Sequence, residues 1–329
     1  MLNTLQKKEQ FPKNASIDIT SHCNIDCIIC SLKKEYHPKG DMNYKTFENI
    51  KPLLTRVENI ELCCNAEPTL HPQLLTFLKE IKKISNAQVN FPTNGVLLNK
   101  KLITKLIRHG LDNLRFSLDG STSQTYEDIR KGSSFRLVTK NIREVNLTKK
   151  KLRKENPHLA LVFVAMKKNI QELPSLIELA NKLEIKDVIV HGFECYSKNL
   201  VNEVLYFKSE GSEEFFNKAK EKAQNYGISL QLPELKIKKR YSCDRDKSCL
   251  ITWNGDVCPC TPLSYTRPVY LREKIIQLRK LSFGNVNMIS FEEIWRSKDY
   301  ESFRKYSDRT KYKHCKDCLM NFGVIVPQE

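Results

Sequence analysis

The sequence predicts an α/β chain: a partial (β/α)6 barrel over residues 12–226, followed by a small cysteine-rich domain over residues 227–329. Three observations lead there. Short apolar runs alternate six times with helically spaced segments before about residue 195, the pattern of parallel βα units joined by right-handed crossovers. The polar, chemically loaded stretches follow the strands directly, as they do on the functional face of a TIM-like barrel. The last third drops this alternation and gathers six of the twelve cysteines.

The first strand is SIDIT at 16, which runs into SHCNIDCIICS. NIELC at 59 leads into CCNAEPTLHP, and a helix follows in which Leu74, Leu78, Ile81 and Ile84 recur every three or four residues. AQVNF at 87 leads into PTNGV, and the next helix carries Leu102, Leu106 and Ile107 before Gly110 stops it. NLRFS at 113 leads into SLDGS and then a helix with Phe135, Val138, Ile142 and Val145 on one face. LALVFV at 159 and DVIVH at 187 complete the set, the latter running into HGFECY. Six such units are too few to close an eight-stranded barrel, so the barrel is open. A helical stretch from about Glu213 to Tyr226 and the apolar ISLQL come next. In ITWNGDVCPC, Asn254-Gly255 predicts a β-hairpin with a type I′ turn.

At 329 residues with 40% hydrophobic content the chain can build a full core. The amino terminus, MLNTLQKKEQ, has no apolar signal region, and no run reaches the roughly 18 apolar residues of a membrane span. The expectation is a soluble, cytoplasmic protein without a membrane partner, and in a reducing compartment twelve cysteines point to metal ligation or catalysis, not to disulfides. The net charge is +17, much of it between Lys131 and Lys154. It reads either as a solvated face or as a landing surface for an acidic partner. No aromatic interleaving supports a nucleic-acid partner.

Cys23, Cys27 and Cys30 form a C-x3-C-x2-C triad after the first strand. Structural zinc needs a fourth ligand, whereas a four-iron cluster held by three cysteines keeps one iron open. This triad, with NAEP, TNG and SLDG following later strands in order, resembles the radical S-adenosylmethionine superfamily over nearly the whole chain. The resemblance implies that Cys23, Cys27 and Cys30 hold a [4Fe–4S] cluster whose open iron is chelated by S-adenosylmethionine. It implies too that a one-electron donor of flavodoxin or ferredoxin type triggers release of a 5′-deoxyadenosyl radical. Glu67 stands where the family's Gly-Gly-Glu-Pro motif receives the methionyl amine, Ser117 and Arg130 where the carboxylate and ribose are gripped, and Asn94 is a further contact. Asn65 and Ala66 replace the paired glycines, and Ile29 replaces the frequent aromatic residue before the third cysteine.

The carboxyl-terminal cysteines, with FGNV, ISFEEIW and SFR, resemble the auxiliary SPASM domain in its shortened, twitch form. That resemblance assigns Cys243, Cys260, Cys315 and Cys318 to a second [4Fe–4S] cluster and leaves Cys249 and Cys258 over; a zinc ribbon is the alternative. The leading functional expectation is an oxidoreductase or maturase that crosslinks or epimerises a ribosomal peptide, an acidic leader suiting the basic surface. A small-molecule dehydrogenase or cofactor-modifying enzyme is the second, since the phrases SYT, FGNV and CLMNFGVIV resemble enzymes that modify a tungsten-pterin cofactor. A silent iron–sulfur scaffold is the third. An epimerase needs a thiol that returns hydrogen; Cys195 is the candidate, ahead of Cys63 and Cys64, with His191 and Glu194 as substrate contacts.

Overall fold

The computed structural model describes residues 11–31, 38–63, 65–206, 211–235, 243–271, 274–306, 312–316 and 318. Cys64 and the phrase beyond Cys318 lie outside them. Six parallel strands stand side by side in chain order: β1 (Asn14–Ile17), β2 (Asn59–Leu62), β3 (Gln88–Thr93), β4 (Asn113–Ser117), β5 (His158–Ala165) and β6 (Asp187–Gly192). Three more strands extend this sheet. β7 (Ser229–Gln231) pairs parallel with β6 at one edge. At the other, β8 (Ser248–Ile251) pairs parallel with β1, and β9 (Val257–Cys258) folds back antiparallel on β8. The flanking strands come from residues that the sequence places in the second domain, yet they share the barrel's sheet. Among the described residues the two edges do not meet, so the barrel is partial.

Helices α1 (Tyr44–Leu54), α2 (Leu74–Ile84), α3 (Lys100–Arg108), α4 (Ser123–Ile129), α5 (Phe135–Leu152) and α6 (Leu173–Lys182) cover the outer face, and α7 (Ser212–Tyr226) precedes β7. Their starts are written in the sequence: Asn43, Asn99 and Thr122 cap α1, α3 and α4 by accepting from the N–H of the third residue on. The core lies between helices and sheet. Ile60, Phe91, Phe116, Phe163 and Val190 alternate outward from their strands and are fully buried, and Phe47 of α1 stacks on Phe77 of α2 with ring centroids 4.1 Å apart. The alternate residues, Glu61, Asn90, Arg115, Val162 and Ile189, turn to the inner face.

The carboxyl-terminal region seats on α1. Helices α8 (Phe291–Arg296) and α9 (Lys298–Lys305) gather Phe283, Trp295, Tyr300 and Phe303 into one aromatic cluster, with Arg304 3.8 Å over the Trp295 ring. Asn287 accepts from Thr46 Oγ1 and Asn49 Nδ2 of α1, both at 3.0 Å. The hairpin turn expected at Asn254-Gly255 is present, but it is not type I′. Only Gly255 has a positive φ, 91°, and Thr252 N donates to Asp256 O at 3.0 Å while Gly255 N donates to Thr252 O at 2.8 Å. That is the three-residue loop with a glycine bulge, which asks for a left-handed backbone at the glycine alone. A second hairpin, β10 (Arg267–Leu271) with β11 (Lys274–Leu278), stands apart from the sheet.

Candidate active site

The loop after β1 presents Cys23, Cys27 and Cys30 and is held by its neighbours. Ser21 N donates to Gly40 O at 2.9 Å, and Gly40 N donates back to Ser21 Oγ at 2.8 Å. A side chain at position 40 would strike the Trp253 ring at 2.4 Å, so the hairpin of the carboxyl-terminal region rests directly on this loop. Cys27 pairs with Arg130 in a two-residue antiparallel ladder, and Ile28 N donates to Ile129 O at 2.9 Å. Burial pushes the Cys27 thiol up to about 11 and raises Cys23 too, and the neighbouring sulfurs add to both. Two donors point at the sulfurs, Asn94 Nδ2 at 3.8 Å from Cys23 Sγ and Arg130 Nη1 at 3.8 Å from Cys27 Sγ. An amide N–H and a cation aimed at two of the triad's thiols suit an anionic iron–sulfur cluster, whose potential is set by hydrogen bonds to sulfur.

Glu67 lies one strand over and is buried. Its Oε1 accepts from Thr69 N at 3.2 Å, Thr69 Oγ1 at 2.5 Å and Thr93 Oγ1 at 2.8 Å, and its Oε2 accepts from Asn94 N at 2.7 Å. Burial raises its pKa against these four hydrogen bonds. Oε2 has acceptor capacity beyond the Asn94 N–H, which a methionyl ammonium would use. The turn into NAEP is strained: Cys63 is fully buried with φ 71°, its N–H donating to Ile17 O at 2.6 Å. Asn94 is not a free contact, because its Nδ2 also donates to Asn24 Oδ1 at 2.8 Å and its Oδ1 accepts from Val96 N at 3.0 Å.

Ser117 ends β4 half-buried on the inner face. Arg130 is elsewhere engaged: its Nε stands 2.7 Å from Asp119 Oδ2, and Asp119, fully buried, accepts from Val164 N at 2.8 Å through Oδ1. Burial works against the Arg130 charge, but Asp119 and Cys27 outweigh it and hold it protonated. Asp119 is thus a site residue that sequence reasoning missed, hidden in SLDG behind Ser117. Below, Arg115 Nη2 donates to Glu61 Oε2 at 2.5 Å and Asn90 Oδ1 at 3.4 Å across the inner face. Next to Arg115, burial pulls the His191 ring down to about 4 and the guanidinium adds to it.

Among the later cysteines, Cys249 of β8 and Cys258 of β9 are buried strand residues whose thiols burial pushes far up. Both behave as small hydrophobes. Cys243, Cys260 and Cys318 are partly open, and Cys318 N donates to Cys315 O at 2.9 Å in a tight turn. Cys195 is fully buried in an apolar cluster with Met166, Phe193 and Tyr206, and its Sγ donates to Ser197 O at 3.0 Å. The structure brings Cys23, Cys27, Glu67, Asn94 and Arg130 together, and it packs Cys195 against the β10 hairpin.

Comparison with known proteins agrees with this geometry. Residues 17–191 match the radical SAM superfamily, and residues 243–319 match SPASM, an iron–sulfur cluster-binding domain. The tungsten-containing aldehyde ferredoxin oxidoreductase cofactor-modifying protein of Pyrococcus furiosus is 28% identical over 311 residues, 92% of this chain and 86% of that protein. The PqqA peptide cyclase of Gluconobacter oxydans is 24% identical over 289 residues, 86% of this chain and 76% of that one. In structure, Streptococcus suis SuiB bound to precursor peptide SuiA aligns with a TM-score of 0.64 at 17% identity, covering 95% of this chain and 71% of that one. Among the described residues no helix is long and apolar enough to cross a membrane.

Proposed function

Because the chain belongs to the radical SAM superfamily and carries a SPASM region at its carboxyl end, we propose that it removes a hydrogen atom from a carbon of a ribosomal peptide and leaves a crosslink. The bound cluster and S-adenosylmethionine would supply a 5′-deoxyadenosyl radical, which takes that hydrogen and departs as 5′-deoxyadenosine. The carbon radical left on the peptide bonds to a second atom of the peptide, and the hydrogen displaced there leaves as a proton and one electron, which the second cluster would accept. The chain's own part is positioning. Cys23, Cys27 and Cys30 hold the cluster, with the Asn94 amide and the Arg130 guanidinium turned to two of the sulfurs. Glu67 Oε2 would receive the methionyl amine, and Ser117 stands on the inner face at the end of β4. Arg130 acts through Cys27 and Asp119 in this reading, not on the carboxylate.

The peptide reading is supported by the likeness to the PqqA peptide cyclase over 86% of this chain and by the net charge of +17, which favours an acidic partner. Cys243, Cys260, Cys315 and Cys318 are proposed to bind the second [4Fe–4S] cluster, and a flavodoxin or ferredoxin to deliver the electron. Epimerisation would require the Cys195 thiol to leave Ser197 O and its apolar cluster; a crosslink requires no such donor, and we favour it. Cofactor modification is the second reading, supported by the 28% identity to the Pyrococcus furiosus protein.

Anaerobic reconstitution followed by iron and 5′-deoxyadenosine quantitation, wild type beside Cys27→Ala, tests the chemistry. About eight irons and deoxyadenosine from wild type alone are expected; no deoxyadenosine under any reductant would overturn it. A panel of acidic peptides, a pterin and simple alcohols then tests the substrate. A peptide that loses two hydrogens supports the first reading, and turnover of the pterin alone replaces it with the second.

A further inference from the structure

A groove of about 560 Å³ runs along α2 on the outer wall of the barrel. It is lined by α2 from Leu75 to Ile84, by Lys51 of α1 and by Lys105 and His109 at the end of α3. Four of its residues are lysines: Lys51, Lys79, Lys83 and Lys105. Glu80 is the acid in its wall, and both of its oxygens are engaged: Oε2 stands 2.5 Å from Lys51 Nζ, and Oε1 accepts from Tyr44 OH at 2.7 Å. Glu48 lies 3.7 Å from the same Lys51, and Asp112 is matched by Lys82 at 2.6 Å. The carboxylates of this neighbourhood thus converge on Lys51 and Lys82. Lys79, Lys83 and Lys105 are exposed and take part in no ion pair among the described residues. Helix α3, KKLITKLIR, contributes no acid at all. Lysines therefore outnumber carboxylates in and around the groove, Glu48 and Asp112 included.

The shape suits an extended chain. From Leu75 to Ile84 the helix rises about 14 Å, the length of about four residues of extended peptide. Side chains on one side of such a peptide repeat about every 6.6 Å, and Lys79 and Lys83, one turn apart, have Cβ atoms about 5–6 Å apart. Ile84, 37% exposed, adds an apolar contact. No phenylalanine, tyrosine or tryptophan lines the groove, so it offers no stacking platform for a nucleic acid. Burial, then Lys79 and Lys105, pull the His109 ring below its usual range, which keeps it neutral at pH 7 and leaves the charge to the lysines. Helix α2 begins at Leu74, seven residues past Glu67, so the Leu75 end of the groove is the end nearer the loops that carry the site.

We propose that this groove docks an acidic, extended segment of the peptide substrate, outside the residues that react, and so tethers the substrate while its reacting part enters the barrel mouth. The inference deepens the peptide reading above and rests on it. It gives the positive charge of the chain a specific place of action, with carboxylates at alternate positions meeting Lys79 and Lys83 from one side and Lys105 from the other.

The test uses reconstituted full-length protein, with iron content and melting temperature recorded. Wild type is compared with a groove variant, Lys79→Gln/Lys83→Gln/Lys105→Gln, and with a control that removes the same charge from exposed positions of α5, Lys140→Gln/Arg143→Gln/Lys151→Gln. Two capped probes, acetyl-(Glu-Leu)3-amide and acetyl-(Gln-Leu)3-amide, are titrated by calorimetry at about 0.15 M salt, where attraction between exposed charges is screened beyond about 8 Å. Wild type and the α5 control should prefer the glutamate probe by about tenfold or more, which is about 1.4 kcal/mol, and the groove variant should lose most of that preference. A photoreactive copy of the glutamate probe should label α2 or α3 of wild type. Equal loss in both variants would reduce the effect to diffuse surface attraction and overturn the proposal. So would a preference intact in the groove variant, or labelling confined to other segments. Turnover of the pterin alone is the failure of the peptide reading, and it is seen in the product, not in probe binding.

Discussion

Asp119→Ala separates the roles of the residues around Cys27. The carboxylate is fully buried, 2.7 Å from Arg130 Nε, and it is the acceptor for Val164 N at 2.8 Å. Removing it leaves a guanidinium inside the protein, with the Cys27 sulfur 3.8 Å away among its remaining neighbours. Breaking one side of a buried ion pair costs about 3–5 kcal/mol, and the orphaned Val164 N–H adds about 1–3 kcal/mol. At about 2 °C per kcal/mol for a chain of this size, the melting temperature should fall by about 8 °C or more. Asp119→Asn, which keeps an acceptor for Val164 but not the charge, should fall between. Arg130→Met should cost at least about 2 kcal/mol less in the Asp119→Ala background than in wild type, because the stranded charge is then gone. Thermal melts followed by circular dichroism give all four values. A loss under about 1 kcal/mol in Asp119→Ala, or strictly additive effects in the double variant, would refute the assignment of Asp119 as the support of Arg130.

Two further outcomes follow from the site. His191 titrates at about 4 in the fold, because of burial first and Arg115 second, against 6.5 when unfolded. Its contribution is therefore complete above pH 6.5 and drains away as pH falls toward 4, about 3 kcal/mol in all. Urea unfolding at pH 7, 5.5 and 4.5 should show this slope in wild type and a flatter one in His191→Gln; equal slopes would contradict it. Asn94→Ala removes the amide N–H aimed at Cys23 Sγ. It should lower the potential of the reconstituted cluster and cut deoxyadenosine formation by about 10–100-fold, and an unchanged potential in an EPR-monitored redox titration would show the contact to be idle.

The strands of the barrel are legible because their apolar residues are continuous and each ends at a motif. NLRFS at 113 is both the reading and the element, Asn113–Ser117. Helix α4 is not legible: SQTYEDI is short and polar, and it is held by buried Tyr126 and Ile129, a cap from Thr122 and hydrogen bonds to distant residues, such as that from Thr125 Oγ1 to Glu172. The triad stands out in the sequence by its spacing, and Glu67 and Asn94 come to notice only through the motif resemblance. Asp119 does not stand out, because an aspartate before glycine looks like a turn residue until Arg130, eleven positions on, comes back to meet it. The pairing of β8 with β1 joins residues more than 230 positions apart, and no local signal announces such a contact.

That same pairing governs how the two parts of the chain can be taken apart. β1 carries the triad loop, and its outer side is hydrogen-bonded to β8 from Asn14 through Ile17. Cutting the chain before Ser248 would turn an internal strand into a bare sheet edge, a template for strand addition by another copy and for aggregation. Domain deletion would therefore report on solubility. Cysteine-to-alanine substitutions that leave β8 in place are the controls that report on iron.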